Sequence, residues 1–386
     1  MPDPSDNDKI DGKIAFPDRW LTTMQTNASR TNSSNSPPVT ASSTTLPRYL
    51  ALAYFFLIVY ASLHPFSGWR SSGTSPFAFL ETSWPRYWTI FDLFSNILAY
   101  TPFGFLLAQS LRIHGRKPNM LLAILSGIVL SFILESIQTY LPSRVPSSLD
   151  LVCNSIGSAI GTALACAFGN TVFVQLARLQ SHHLAPIPRV EMGLVLIGLW
   201  LLTQLSPETV LFGTGDFRHF FDISPAMPYA PPSFFAIETI IIICNTTAIG
   251  LMVHALLFAE GAAHKTLLGF FLLALFIRTL AAIILVDPLN AFAWLTPGAS
   301  LGLLLGGTTL FALLFFPAPW RIALAGLSLM VGTILVNLTP TNPYSEVALD
   351  AWRQGHFLNF NGLTRLTASF WPFLTLPYLI LLSRRL

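Results

Sequence analysis

Residues 120–140 read MLLAILSGIVLSFILESIQTY. The first fifteen carry no charge, and Glu135 and Gln138 follow in the last turns. A helix of this length rises about 30 Å, the thickness of a bilayer's hydrocarbon core. Working outward, comparable apolar runs occupy 47–63, 91–110, 149–168, 191–206, 233–258, 266–286, 291–316, 320–338 and 367–383. All are expected to be helices, because an isolated strand leaves its backbone polar groups unsatisfied in lipid. The run 291–316 is interrupted by Pro297-Gly298 and is expected to be either one span or a re-entrant piece followed by a helix. The fold class is therefore all-α: a polytopic transmembrane helix bundle of about ten spans.

Composition agrees. Of 386 residues, 53% are hydrophobic and 10% charged, with a mean hydropathy of +0.60; an ordinary soluble domain is about 25% charged. A water-soluble fold of this size cannot bury that much apolar surface, which excludes a soluble enzyme, a disordered chain, a coiled coil and a disulfide scaffold. The net charge of +3 is small and scattered, so no nucleic-acid partner is expected. Cys153, Cys166 and Cys244 lie in apolar runs and read as small buried hydrophobes. No Cys/His grouping has metal-ligand spacing, and HExxH, Walker A and GxGxxG patterns are absent; neither a metal nor a cofactor is expected.

Residues 1–46 form a polar tail in which 24–46 hold one charge, Arg30; this composition is expected to be disordered. With the tail inside, alternating spans leave nine basic residues in the inner segments (Arg112, Arg116, Lys117, Arg178, Arg189, Lys265, Arg321, Arg384, Arg385) and six in the longer outer ones (Arg70, Arg86, Arg144, Arg218, Arg353, Arg365). The positive-inside rule then places both termini in the cytoplasm. The organisation reads as a cytoplasmic tail (1–46), a four-helix unit (47–169) and six further spans (190–386).

Three runs share a polar pattern. One opens Asp92-Leu-Phe-Ser-Asn96, one closes Glu135-Ser-Ile-Gln138, and one opens Asp150-Leu-Val-Cys-Asn154. Each sets a carboxylate and a carboxamide three or four residues apart, on one helix face, and the topology puts all three pairs at the outer end. Arg144 lies in the short outer loop, between Pro142 and Pro146. The expectation is a cluster of three acids, three amides and an arginine beneath the outer surface. Asp92 and Asp150 sit at helix N-termini, which favour negative charge, and Ser147-Ser-Leu-Asp150 reads as a capping box. Glu135 lies at the unfavourable end of its helix, so an ion pair between Arg144 and Glu135 or Asp150 is expected. Buried acids and amides also serve as interhelical glue, but ionisable residues at membrane depth are functional candidates by default. Gly157-xxx-Gly161 reads as a packing face, Thr101-Pro102-Phe-Gly104 as a kink, and His64-Pro65 as the end of the first span.

Together, Asp92, Asn96, Pro102-Phe-Gly104, Glu135-xx-Gln138, Arg144 and Asp150-xxx-Asn154-xx-Gly157-xxx-Gly161 resemble the VanZ-like family over roughly 47–168, about a third of the chain. The resemblance implies a multi-pass protein of a bacterial cytoplasmic membrane. It implies a cell-envelope context and not a particular reaction; the family's namesake is linked to low-level resistance to the glycopeptide teicoplanin. The positions it carries over are Asp92, Asn96, Glu135, Gln138, Arg144, Asp150 and Asn154. The chain departs from the family in size, since a typical unit ends near residue 170.

Beyond that unit, Arg278 lies about 12 Å deep in its span and needs a partner or a wet cavity. Glu238 and Asn245 bracket a similar depth, and Asp287 is another candidate. Gly298, Gly302 and Gly306 read as a packing face. The outer stretch Trp352–Asn361 is expected to be an interfacial belt or a lid. Besides the bilayer, the expected partner is an envelope lipid or lipid-linked saccharide, bound or modified at the outer cluster. The carboxylates would supply acid–base chemistry, and Arg144 and Arg278 would hold phosphate. A secondary transporter and a non-catalytic scaffold are the alternatives.

Overall fold

A computed structural model describes residues 45–71, 73–81, 89–112, 119–185, 187, 189–206, 209–218, 230–257, 260–285, 288–340 and 358–384. Among these lie ten α-helices: α1 (Leu46–Leu63), α2 (Ile90–Ser110), α3 (Met120–Gln138), α4 (Ser148–His183), α5 (Val190–Thr203), α6 (Pro231–Leu256), α7 (Glu260–Leu285), α8 (Pro297–Leu313), α9 (Ala318–Leu338) and α10 (Leu358–Ser383). Eight are long and apolar enough to cross a membrane; α5 and α8 are shorter apolar helices of 14 and 17 residues. The tail to residue 44, Arg116, Lys117, Asp287 and the stretch Trp352–Phe357 lie outside the described residues.

Local sequence sets the helix starts. Thr89 and Asp92 form a reciprocal capping box on α2, Asn119 caps α3 by accepting from the Leu122 amide, and Thr296 caps α8 ahead of Pro297. The region 291–316 is thus a turn leading into one helix that begins at Pro297, because Thr296-Pro297 is a strong start signal and Gly298 sits inside the first turn. The fourth helix does not end near residue 168. It runs 36 residues to His183, since nothing between Asn170 and His183 breaks a helix.

Within Ser43–Leu386, which forms one compact unit, α2 and α4 make the most extensive helix pair, with α3 and α1 packed beside them. Glycine permits this approach. A Cβ on Gly157 would strike the Ile97 carbonyl, one on Gly161 the Thr101 carbonyl, and one on Gly104 the Ser158 carbonyl. In the second half α6 is the most enclosed long helix, flanked by α8 and α9. Gly302 and Gly306 of α8 pack on Ile242 and Thr246. Helix α10 joins the halves: the Trp371 indole donates to the Leu196 carbonyl at 2.7 Å, and Gly362 lies against Tyr60 and His64 of the first helix's end.

Candidate functional site

The site grows out of the starts and ends of four helices. The Asn96 amide on α2 donates to the Asp150 carboxylate on α4 at 2.8 Å. Glu135, on the last turns of α3 and 4% exposed, accepts the Ser147 backbone N–H at 2.9 Å. Glu135 thereby sits at the positive end of the α4 dipole, which offsets its position at the negative end of its own helix. The Ser147–Asp150 capping box expected from sequence does not form, because Glu135 takes the amide that Asp150 would have taken. The Ser147 hydroxyl instead accepts from the Leu149 amide at 3.1 Å, and Asp150 accepts from Asn96. Asp150 and Glu135 lie within electrostatic reach of each other, and Asp92 within reach of Asp150.

One turn further in is a second layer. The Asn154 amide, 5% exposed, donates to the Ser131 hydroxyl at 3.0 Å. Tyr100 of α2 lies against Ser131 and Glu135. The Asn154 carbonyl oxygen is buried with no hydrogen-bond partner among the described residues. Below it, Ser158 is fully buried and presses on α3 at Gly127, where a Cβ would meet its hydroxyl.

Two expected members face elsewhere. The Gln138 amide donates to the Ser62 carbonyl at 3.0 Å. Arg144 donates from Nε to the His64 carbonyl at 3.1 Å and from Nη2 to the Ala61 carbonyl at 2.9 Å. Both side chains therefore close the C-terminus of α1, whose last carbonyls lack helical partners, with the guanidinium at the negative end of its dipole. The expected ion pair of Arg144 with Glu135 or Asp150 is absent; the ion pair found among the described residues is Arg218–Asp216 at 2.6 Å. Burial holds the Arg144 guanidinium below its usual range, and the nearby Glu135 carboxylate counters that effect. Asp92 is exposed and accepts from Thr89 within its own capping box.

The structure does not join the second-half candidates to this cluster. Glu238, 5% exposed, lies against Gly298 and Thr296 at the start of α8, where the helix dipole favours a carboxylate. Arg278, 3% exposed, donates to the Ser206 and Thr209 carbonyls. These carbonyls open a feature that sequence reading placed in an outer loop: residues 211–215 are buried, non-helical backbone. The segment is held by Asn337, which donates to the Gly215 carbonyl at 2.7 Å and accepts from the Phe217 amide at 2.9 Å. Thr214 donates to Asn245 at 3.3 Å, and Ser369 reaches the Asp216 carbonyl. Gly215 takes φ +87°, a region open to glycine. The available signal was Gly213-Thr-Gly215-Asp216, whose glycines allow tight backbone approach. Among the described residues, no group of three or more His, Cys, Asp or Glu is placed to hold a metal ion.

Compared with known proteins, residues 20–169 match the family model VanZ/LLP1. No curated protein and no solved structure matches the chain.

Proposed function

The chain is VanZ-like over residues 20–169 and folds as a multi-pass helical bundle; from that premise we propose that it works in a bacterial cell envelope, binding an envelope lipid or lipid-linked saccharide at the Asn96–Asp150–Glu135 cluster. In this reading the protein lies in the cytoplasmic membrane with both termini inside, and residues 47–169 form the binding unit that 190–386 extends. One observation carries the reading. Two carboxylates from adjacent helices are brought together near the helix ends, and among the described residues no cation lies within ion-pair distance of either. Interhelical glue alone would be expected to neutralise such a pair, and the half-exposed Asp150 gives it a mouth.

The test is mass spectrometry of lipids that co-purify with the full chain in native membrane, comparing wild type, Asp150→Asn and the control Gly198→Ala, whose added Cβ meets nothing. A lipid class enriched in wild type and the control, and depleted in Asp150→Asn, is the expected result. Identical profiles in all three defeat the proposal. The physiological counterpart is teicoplanin tolerance, expected to rise when the chain is expressed and to stay at baseline with Asp150→Asn.

A second reading, transport, is favoured by the buried irregular segment 211–215. Non-helical backbone at membrane depth is found where it is enclosed by protein or lines a cavity, as in transporters. Substrate flux in proteoliposomes that is abolished by Asn337→Ala and indifferent to Asp150→Asn would select it.

A further inference from the structure

Resting on the lipid-binding reading above, we infer that the cluster selects a primary ammonium group. The argument is an inventory of donors and acceptors. The amide and guanidinium donors at the site are turned onto protein acceptors: Asn96 onto Asp150, Asn154 onto Ser131, Gln138 onto Ser62, and Arg144 onto Ala61 and His64. The Ser158 hydroxyl, deeper in the seam, is buried without a partner among the described residues, and beside the two acids what remains is acceptor capacity. The carboxylates of Asp150 and Glu135 each accept one of these bonds and have lone pairs to spare.

The Asn154 carbonyl oxygen, on a residue 5% exposed, has no partner among the described residues. Asn154 lies one turn below Asp150 on the same face of α4, and its partner Ser131 lies one turn from Glu135 on α3. The orphan oxygen therefore forms the floor beneath the two acids. An unpartnered buried acceptor costs free energy until a donor reaches it. The seam closes below, where Ser158 fills the space beside Gly127, so the group that enters is small.

A protonated primary amine supplies three N–H donors and one positive charge in a compact head. It would meet the two carboxylates and the orphan oxygen together. A phosphate or carboxylate would be repelled by the same acids, and a trimethylammonium has the charge without an N–H. The amine can be borne by an aminophospholipid or by a free solute. The exposed Phe91 and Phe94 flanking Asp92 at the start of α2 place an apolar border beside the mouth, which suits a head group arriving with its acyl chains.

The experiment uses the full chain in nanodiscs of phosphatidylglycerol doped equally with phosphatidylethanolamine and phosphatidylcholine. Native mass spectrometry then reads the lipid retained. Retention of phosphatidylethanolamine over phosphatidylcholine by about tenfold or more is expected, the scale of a charge-assisted hydrogen bond. The preference should collapse in Asp150→Asn and in Asn154→Leu and persist in Gly198→Ala. Asp150 is half-exposed, so its variant remains informative if Asn154→Leu fails to fold. Displacement by free ethanolamine assigns the site to soluble amines, and persistence against it assigns the site to the lipid. Equal retention of the two lipids overturns the ammonium inference. If a lipid without an amine is retained and lost in Asp150→Asn, the inference falls and lipid binding stands; if no lipid is retained in any arm, both fall.

Discussion

Replacing Glu135 separates two accounts of a buried acid. In the structure its carboxylate accepts the Ser147 N–H at the start of α4, and Arg144 is engaged with the end of α1. Glu135→Ala leaves that buried N–H without an acceptor, at about 1–3 kcal/mol. It also removes a negative charge from a helix N-terminus, worth up to about 2 kcal/mol in a partly buried setting. The expected loss is about 2–4 kcal/mol. Glu135→Gln keeps a carbonyl oxygen for the amide and loses the charge, so its cost is about 1 kcal/mol. Were Glu135 held by an ion pair to Arg144, either variant would strand a buried guanidinium and both would cost about 3–5 kcal/mol. The measurement is reversible unfolding of the purified chain in mixed micelles, followed by tryptophan fluorescence, with a double-mutant cycle against Arg144→Ala. Equal losses for the two Glu135 variants, or a coupling above about 1 kcal/mol between Glu135→Gln and Arg144→Ala, would refute the capping account.

Three further outcomes follow from the same geometry. Gly161→Ala drives a Cβ into the Thr101 carbonyl and should destabilise by about 1–3 kcal/mol or more in the same assay, whereas Gly198→Ala should lie within about 0.5 kcal/mol of wild type. Asn337→Ala removes two bonds from the segment beginning at Gly215; amide hydrogen exchange over 213–217 should accelerate while the core of α6 stays protected, and unchanged exchange would deny that Asn337 holds the segment. In a background with Cys153, Cys166 and Cys244 replaced by serine, Ser143→Cys should react with an impermeant maleimide from outside intact cells. Ala318→Cys should react only after permeabilisation, and labelling of both from one side would reverse the proposed topology.

The sequence displays most of the architecture because membrane spans are written in uninterrupted apolar runs. The Asp/Asn spacing on α2 and α4 likewise displays which faces meet, and the Asn96–Asp150 bond joins two of the three predicted pairs. The partners of Glu135, Gln138 and Arg144 were hidden for a shared reason. Each bonds to main chain, at Ser147, Ser62, Ala61 and His64, and a backbone amide or carbonyl has no signature in a string of side chains. Charge matching therefore favoured an Arg144–Glu135 pair that the helix ends outcompete. The buried segment 211–215 was hidden because two of its three holding residues, Asn337 and Ser369, lie more than a hundred positions away, and the third, Asn245, sits inside an apolar run. The full length of α4 was hidden because hydropathy falls after residue 168 and Gly169-Asn170 reads as a helix end, whereas Gly169 packs inside the helix against Gln109 and no proline follows until Pro186.

At 36 residues, α4 measures about 54 Å, against about 30 Å of hydrocarbon. One end carries Asp150. Just past the other, Leu184 pairs with Leu257, and the Ala185 amide donates to the Leu256 carbonyl at 2.9 Å. One unbroken helix thus runs from the main-chain contact at the end of α6 to the turn that carries Asp150, so a single element connects both positions.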